Sequence, residues 1–84
     1  MPSSWHVYIL ECRDGTYYTG SASNLESRIK KHNCGKGARY TRGRRPVKLV
    51  YHETFPSRSR AAKREHQIKK LTRAQKEVLI QDLS

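Results

Sequence analysis

The sequence predicts a mixed α/β (α+β) domain, a small three-stranded antiparallel sheet flanked by three helices in the order β-β-α-β-α-α. Two apolar runs joined by an Asp-Gly turn signal predict a β-hairpin. A later run, VKLVYHETF, is rich in β-branched and aromatic residues and predicts a third strand. Two capping-box patterns precede stretches with helical spacing. A chain of 84 residues supports one domain, residues 1–84, with one modest core.

The predicted strands cover residues 5–12, 16–21 and 47–55. The first strand is apolar on both faces, with Val7 and Ile9 on one and Tyr8 and Leu10 on the other. A strand of this kind is typical of the centre of a sheet that is covered on both sides. We therefore expect residues 5–12 to be the central strand.

The hairpin has two possible registers. A two-residue Asp-Gly turn would place Tyr17 on the face of Tyr8 and send Tyr18 to the other face. A three-residue loop ending in a left-handed Gly15 shifts the pairing by one residue, so that Tyr18 shares the face of Tyr8. The spacing alone leaves both registers open.

The first helix is predicted to begin at a capping box formed by Ser23 and Glu26 and to run to about His32. Gly35 is placed to end it. The segment GKGARYTRGRRP, residues 35–46, is predicted to be a glycine-rich basic loop.

The second helix is predicted to begin after Ser57 and to run to about Lys70. A capping box at residues 72–75 opens a third helix. The spacing places Ala74, Val78 and Leu79 of that helix toward the core.

Charge is the strongest compositional signal. The chain has 18 Lys and Arg against 7 Asp and Glu, a formal net charge of +11. No acidic residue occurs in residues 27–52, a segment that contains nine basic residues: Arg28, Lys30, Lys31, Lys36, Arg39, Arg42, Arg44, Arg45 and Lys48. A block of one sign on this scale indicates a polyanionic partner, nucleic acid above all. No apolar run is long enough to span a membrane, so we expect a cytosolic protein without a membrane partner.

Two cysteines, Cys12 and Cys34, do not make a disulfide framework. We expect two reduced thiols that pack as small apolar groups. A zinc site combining Cys34 with His32 or His52 lacks the usual ligand spacing.

Glu65 lies within the apolar stripe of the second helix, between Ala61 and Ile68. Burying a lone carboxylate is costly unless it is paired or binds a cation. Two interpretations remain open, an ion pair with Lys69 or with an arginine of the first helix, and a Mg²⁺ ion held by one carboxylate and water.

Arg28 and His32 are four residues apart, beside the core positions Leu25 and Ile29 of the first helix. Such a pair is more often a structural hydrogen-bonding couple than a catalytic one. The basic loop lacks the P-loop pattern. Two interpretations of the loop remain open. Its cations could reach phosphates while Tyr40 stacks on a base, or the loop could be an ordinary solvated one. The cations are Lys36, Arg39, Arg42, Arg44 and Arg45.

Together these residues form a recognisable set. Val7-Tyr8, Tyr18-Thr19-Gly20, an arginine and a histidine on the next helix, and a carboxylate on the helix after that resemble the GIY-YIG nuclease superfamily. The loop KGARYTRGRRPV resembles that of its small stand-alone bacterial members. The resemblance covers the chain from Trp5 to about Leu79.

The resemblance implies a metal-dependent phosphodiesterase with its active site on one face of the sheet. Tyr8 and Tyr18 would line the site and orient or deprotonate the attacking water. Arg28 would stabilise negative charge on the phosphoryl group, and His32 would act as a general base or assist it. Glu65 would hold a single Mg²⁺ or Mn²⁺.

Gly20, by the same resemblance, would keep the backbone close beneath the substrate. Two-metal catalysis needs several clustered acids, and only Glu65 is placed inward, so a one-metal scheme fits better. Because no second DNA-binding domain follows, we expect activity that is weak, directed by DNA structure, or dependent on a protein partner.

Two functions follow as hypotheses. The first is a DNA endonuclease that acts on repair or recombination intermediates in the bacterial cytosol, associated with the nucleoid. The second is a non-catalytic nucleic-acid-binding module, RNA- or ribosome-associated, that keeps the nuclease fold. Both predict salt-sensitive binding, and they differ in whether Glu65 and a metal support turnover.

Overall fold

The computed structural model describes residues 4–82 and confirms the mixed α/β class. Three antiparallel strands form one sheet in the order β2-β1-β3. Four helices surround it, one more than predicted, because a single turn of helix lies within the segment predicted as a loop. The elements are β1 (Trp5–Cys12), β2 (Tyr17–Ala22), α1 (Leu25–Asn33), α2 (Arg39–Arg42), β3 (Val47–Phe55), α3 (Arg58–Lys69) and α4 (Arg73–Gln81).

The β1–β2 hairpin has the three-residue loop. The N–H of Cys12 donates to the carbonyl of Thr16 at 2.8 Å, and the N–H of Gly15 donates to the carbonyl of Cys12 at 2.9 Å. Gly15 has φ of 84°, in the left-handed region that favours glycine. In the resulting register Gly20 faces Tyr8 across the strands, and Tyr18 therefore shares the face of Tyr8.

The two faces of β1 bury two separate clusters, which confirms its predicted central place. On one face Val7 and Ile9 pack with Tyr51 and with the α3 residues Ala61 and Ile68. On the other face the cluster contains Tyr8, Leu10, Cys12, Ala22 and Val47, with Leu25 and Ile29 of α1 packed against it. Hence α1 and α3 lie on opposite faces of the sheet.

The capping predictions are confirmed for α3 and α4 but wrong for α1. Ser57 caps α3, and residues 72–75 form the reciprocal capping box of α4. At α1 the cap is Asn24, whose side chain accepts from the N–H of Ser27 at 3.0 Å. Asparagine is as good a cap as serine, and Ala22 still belongs to β2, so the helix begins one residue later than predicted. Glu26 instead pairs with Lys30 at 3.7 Å.

The core-facing side of α4 differs from the prediction at two positions. Ala74 is exposed and Val78 is 58% exposed, whereas Leu79 and Ile80 pack against the core. Leu79 and Ile80 carry more apolar surface than Ala74 and Val78, so turning that side inward buries more of it.

Both cysteines are free thiols, as predicted, but only Cys12 is buried. Cys34 is exposed at the C-terminal end of α1, so the prediction that it packs as a small apolar group is wrong. Within residues 4–82 no group of three or more His, Cys, Asp or Glu side chains is placed to hold a metal ion. None of the helices described is both long and apolar enough to cross a membrane.

Candidate active site

A buried tyrosine–histidine pair lies at the centre of the candidate site. Tyr8 on β1 is 2% exposed and His32 on α1 is 1% exposed. The Tyr8 hydroxyl oxygen lies 3.0 Å from His32 Nε2. Burial raises the pKa of Tyr8 well above its usual value, and the neighbouring Tyr18 adds to this. Burial and the charge of Arg28 lower the pKa of His32. Near neutral pH both groups are therefore uncharged.

The segment between α1 and α2 closes over the His32 ring. His32 Nδ1 lies 2.8 Å from the hydroxyl oxygen of Thr41, a residue of α2 that is 0% exposed. A Cβ added at Gly37 would lie 2.3 Å from Nδ1 and 2.8 Å from the His32 Cα, so only glycine fits there. Neither Thr41 nor Gly37 was predicted from the sequence. A buried histidine needs a partner for each ring nitrogen, and that need was the available signal.

Tyr18 extends the site into an aromatic cluster. Its ring centroid lies 5.2 Å from that of His32 and 6.4 Å from that of Tyr8. Tyr40 of α2 stacks on Tyr18, with 5.9 Å between centroids and 29° between planes. The Arg44 guanidinium lies 4.1 Å from the Tyr40 ring centroid. Tyr40 is thus already engaged in stacking within the protein.

Gly20 is buried beneath two of these tyrosines. A Cβ at this position would lie 2.6 Å from the Tyr8 hydroxyl oxygen and 3.1 Å from the Tyr18 ring. The close approach that requires glycine is therefore to the tyrosine side chains.

Arg28 stands beside the tyrosine–histidine pair as an unpaired cation. It lies on α1, one turn before His32, and its charge lowers the pKa of both Tyr8 and His32. Within residues 4–82 its guanidinium makes no hydrogen bond or ion pair. A free guanidinium at this position is available to an anionic ligand.

Glu65 reaches the site from the other face of the sheet. Its Oε1 accepts from the Ser21 hydroxyl at 2.7 Å, and its Oε2 lies 2.8 Å from Lys69 Nζ. The ion pair with Lys69 is one of the two predicted arrangements. Burial raises the pKa of Glu65, but the hydrogen bonds from Lys69 and Ser21 outweigh it and hold the pKa below its usual value. Glu65 is therefore ionised at neutral pH.

The site spans the edge of the sheet instead of lying on one face. Ser21 pairs with Val7, so its side chain belongs to the face opposite Tyr8. Strand β2 is an edge strand, and Glu65 meets it from the α3 side. The charge of Glu65 nevertheless contributes to the raised pKa of Tyr8. The carboxylate is thus electrostatically coupled to the tyrosine across β2.

The oxygen donors at this edge are of the type that a hard cation takes, but both carboxylate oxygens of Glu65 are engaged, by Ser21 and by Lys69. The Glu65 carboxylate and the Ser21 hydroxyl offer oxygen donors. Mg²⁺ binds through one or two carboxylates while it keeps several waters, and Mn²⁺ suits the same oxygen ligands. The several nitrogen or sulfur ligands of a zinc site are absent from the described part of the chain.

The loop cations fall into two groups. The side chains of Lys36, Arg39 and Arg42 are exposed and make no hydrogen bond or ion pair among the described residues. Arg44 Nε is 3.0 Å from Asp14 Oδ2. Arg45 donates to the carbonyl of Arg42 at 2.9 Å and to that of Asn33 at 3.3 Å. Arg44 and Arg45 therefore hold the loop in place, whereas the first three are free to meet an anion.

The fold defines a nuclease-type α/β domain, in which a tyrosine–histidine pair lies beside an arginine and a carboxylate approaches from the other face of the sheet. Residues 4–78 match the family model of the GIY-YIG catalytic domain. The chain therefore belongs to the GIY-YIG family, which confirms the resemblance found in the sequence.

Proteins named UPF0213 are similar over most of their length. That of Halobacterium salinarum is 57% identical over 74 residues, covering 88% of this chain and 96% of the relative. That of Clostridium perfringens is 60% identical over 79 residues, covering 94% and 85%. The solution structure of the UPF0213 protein from Bacillus halodurans aligns with a TM-score of 0.60 at 50% identity, covering 93% of this chain and 83% of that one. A protein of E. faecalis gives 0.64 at 43% identity, covering 95% and 85%.

Proposed function

We propose that the protein is a metal-dependent endonuclease that hydrolyses DNA phosphodiester bonds on repair or recombination intermediates. The observation that carries the proposal is the buried 3.0 Å contact between Tyr8 and His32 beside the unpaired Arg28. Phosphodiester hydrolysis needs a proton acceptor for the attacking water and positive charge for the phosphoryl oxygens. These side chains would supply both.

Tyr8 and His32 act as a proton-accepting pair in this proposal. His32 is neutral near neutral pH because burial and Arg28 lower its pKa. When Tyr8 takes a proton from water, it passes its own proton to His32 Nε2 over a contact of 3.0 Å. The half-buried Tyr18 beside them orients the water.

Arg28 and Glu65 provide the electrostatic part. The free guanidinium of Arg28 stabilises the charge that develops on the phosphoryl oxygens. Glu65 would hold one Mg²⁺ or Mn²⁺, and its hydrogen bond with Ser21 fixes the orientation of the carboxylate. When bound, the ion supplies Lewis-acid polarisation of a phosphoryl oxygen.

Substrate choice follows from the free cations of the loop, Lys36, Arg39 and Arg42. Cations that contact phosphates position a nucleic acid without reading its sequence. We therefore expect the enzyme to select DNA by its structure or through a protein partner. An enzyme of this kind would work in the cytosol, close to the nucleoid.

The decisive experiment is a cleavage panel. Linear, flapped, branched and supercoiled DNA are each incubated with Mg²⁺ and with Mn²⁺. We expect metal-dependent nicking of branched or supercoiled DNA, which Glu65→Gln abolishes while DNA binding is retained.

The matched control is Glu77→Gln, because Glu77 also forms an i,i+4 ion pair but lies on α4. This variant should cleave like the wild type. Pure protein that binds DNA but cuts none of these substrates with either metal would contradict the proposal.

The alternative function, a non-catalytic nucleic-acid-binding module associated with RNA or the ribosome, is favoured by one observation. Both oxygens of Glu65 are already engaged, by Ser21 and by Lys69. In that case the carboxylate is structural. Glu65→Ala and Lys69→Ala would then both lower the melting temperature, and the protein would bind RNA or DNA without turnover.

A further inference from the structure

The hydrogen bonds around His32 form a chain whose direction can be worked out. His32 is 1% exposed, so each ring nitrogen must find its partner within the protein. Nε2 lies 3.0 Å from the Tyr8 hydroxyl, and Nδ1 lies 2.8 Å from the Thr41 hydroxyl. A neutral imidazole carries one proton, so one nitrogen donates and the other accepts.

The single proton of Thr41 decides which nitrogen donates. The Thr41 hydroxyl donates to the carbonyl of Ala38 at 2.9 Å. Its oxygen is then left as an acceptor toward His32, and Nδ1 must carry the imidazole proton. Nε2 consequently carries no proton and accepts a hydrogen bond from the Tyr8 hydroxyl. The hydroxyls of Tyr8 and Thr41 and the N–H on Nδ1 then each have an acceptor, and only the N–H of Ala38, 3.4 Å from Nδ1, loses one.

The opposite direction leaves a more deeply buried donor without an acceptor, because Tyr8 is 2% exposed whereas Ala38 is only partly buried. If Thr41 donated to Nδ1, the Ala38 carbonyl would lose its hydroxyl donor but would keep the backbone N–H of Thr41 at 3.1 Å. Nε2–H would then donate to Tyr8, whose own buried proton would have no acceptor among the described residues. One contact favours this direction, the N–H of Ala38 at 3.4 Å from Nδ1, and it is the longest contact of the set.

We infer that Thr41 is a positioning residue that fixes His32 as the tautomer protonated on Nδ1, so that Nε2 is the acceptor for the Tyr8 proton. The inference deepens the proposed function and rests on it for its catalytic meaning. It also explains why the one-turn helix α2 carries a fully buried threonine in an otherwise basic segment. When His32 takes the Tyr8 proton, the N–H on Nδ1 keeps its bond to Thr41, and no group has to reorient.

The tautomer can be measured without substrate or metal. In ¹⁵N-labelled protein at neutral pH, a long-range ¹H–¹⁵N correlation spectrum distinguishes the protonated ring nitrogen from the bare one. We expect His32 Nδ1 to be the protonated nitrogen. A spectrum in which Nε2 carries the proton would overturn the inference and would leave the nuclease proposal untouched.

Variants of Thr41 test whether this residue determines the tautomer of His32. Thr41→Val removes the acceptor and should release His32 to the other tautomer. DNA cleavage should then fall on the order of tenfold, as when the partner that orients a ligand histidine is removed. Thr41→Ser keeps the hydroxyl and should restore both the tautomer and cleavage.

The matched control is Thr54→Val, because the Thr54 hydroxyl lies 3.1 Å from Nδ1 of the exposed His6. This change should leave the His32 tautomer and cleavage as they are. An unchanged tautomer in Thr41→Val would overturn the inference. If Thr41→Val does not fold, the wild-type and Thr41→Ser spectra decide. If His32 shows the expected tautomer but the protein never cuts DNA, the nuclease proposal is refuted and the inference about Thr41 stands.

Discussion

His32 is the residue at which burial and a neighbouring charge act in the same direction. Both lower its pKa in the folded protein. The unfolded chain, with a histidine pKa of about 6.5, therefore binds a proton more readily than the folded protein does. Stability is thus fully present above about pH 6.5, falls as the pH drops through that value, and levels off below the folded-state pKa.

We expect the free energy of unfolding, measured in urea at a series of pH values, to fall between about pH 7 and pH 5.5. His32→Gln should flatten that slope, whatever its effect on the absolute stability. The carboxyl groups with lowered pKa, such as Glu53 and Glu65, titrate at lower pH, so they do not contribute to the slope in this range. Equal slopes for the two proteins would show that His32 does not titrate on unfolding.

Gly37 is the residue that lets the backbone pass over the His32 ring. A methyl group there would lie 2.3 Å from Nδ1, and His32 cannot move away because Tyr8 and Thr41 hold both ring nitrogens. We expect Gly37→Ala to lower the free energy of unfolding by about 1–3 kcal/mol, the usual cost of overpacking.

The control for this change is Gly43→Ala. Gly43 has φ of −90° and nothing within 4 Å of an added Cβ. Chemical denaturation should leave it near the wild type, and two equally destabilised variants would mean that the His32 contact is not the cause.

At the scale of elements, the hairpin loop decides which tyrosine joins the site. Gly15 has φ of 84° and open space around it, so a substitution there adds strain without a clash. Gly15→Ala should cost about 1–2 kcal/mol, the penalty of a left-handed conformation for an L-residue. Gly15→Asn should cost less, because asparagine tolerates this region. Urea denaturation of both variants measures the difference, and equal losses would contradict a left-handed requirement.

From the sequence, the strands could be located, but the register of the hairpin that this loop closes could not be determined. Alternation and composition located all three strands, because a sheet buried on both faces leaves a plain apolar pattern at β1. The register remained open, since it depends on one backbone angle at Gly15 that composition does not encode. Helix α2 was missed because a single turn, residues 39–42, is too short to show an apolar period.

The candidate site, like the elements, was predictable only where residue identity rather than three-dimensional packing decides it. The resemblance to the nuclease family suggested Tyr8, Arg28, His32 and Glu65, and in the structure Tyr8 contacts His32 while the charges of Arg28 and Glu65 act on Tyr8. The need of a buried His32 for a second partner indicates a polar neighbour but not that it is Thr41, because the contact depends on a segment that folds back over the ring. The approach of Glu65 from the opposite face could not be predicted either, because it follows from the hairpin register and the packing of α3.

At the scale of the whole molecule, only some of the cations behind the net charge of +11 are free to contact a ligand. Arg44 and Arg45 are committed to bonds within the protein. The free cations nearest the tyrosine cluster lie on α1 and α2 and between them, whereas another exposed group lies on and just after α3, on the opposite face. A nucleic acid seated at the site should therefore be held by the first group.

A salt titration of binding separates the two groups. If six phosphates are neutralised, the logarithm of the affinity for duplex DNA should fall against the logarithm of salt concentration with a slope of about −5. The triple variant Lys36→Ala, Arg39→Ala and Arg42→Ala should reduce the magnitude of that slope by about 3, close to one for each lost phosphate contact. Fluorescence anisotropy with an active-site variant, Glu65→Gln, avoids cleavage during the measurement.

The control removes the same charge from the α3 side through Arg60→Ala, Lys63→Ala and Lys70→Ala, three exposed residues. Because long-range attraction falls equally in both triple variants, only a direct contact distinguishes their slopes. We expect the control slope to stay near that of the wild type. A slope reduced as much in the control would mean that DNA wraps both faces, and one reduced only in the control would place the nucleic acid on the α3 side, away from Tyr8 and His32.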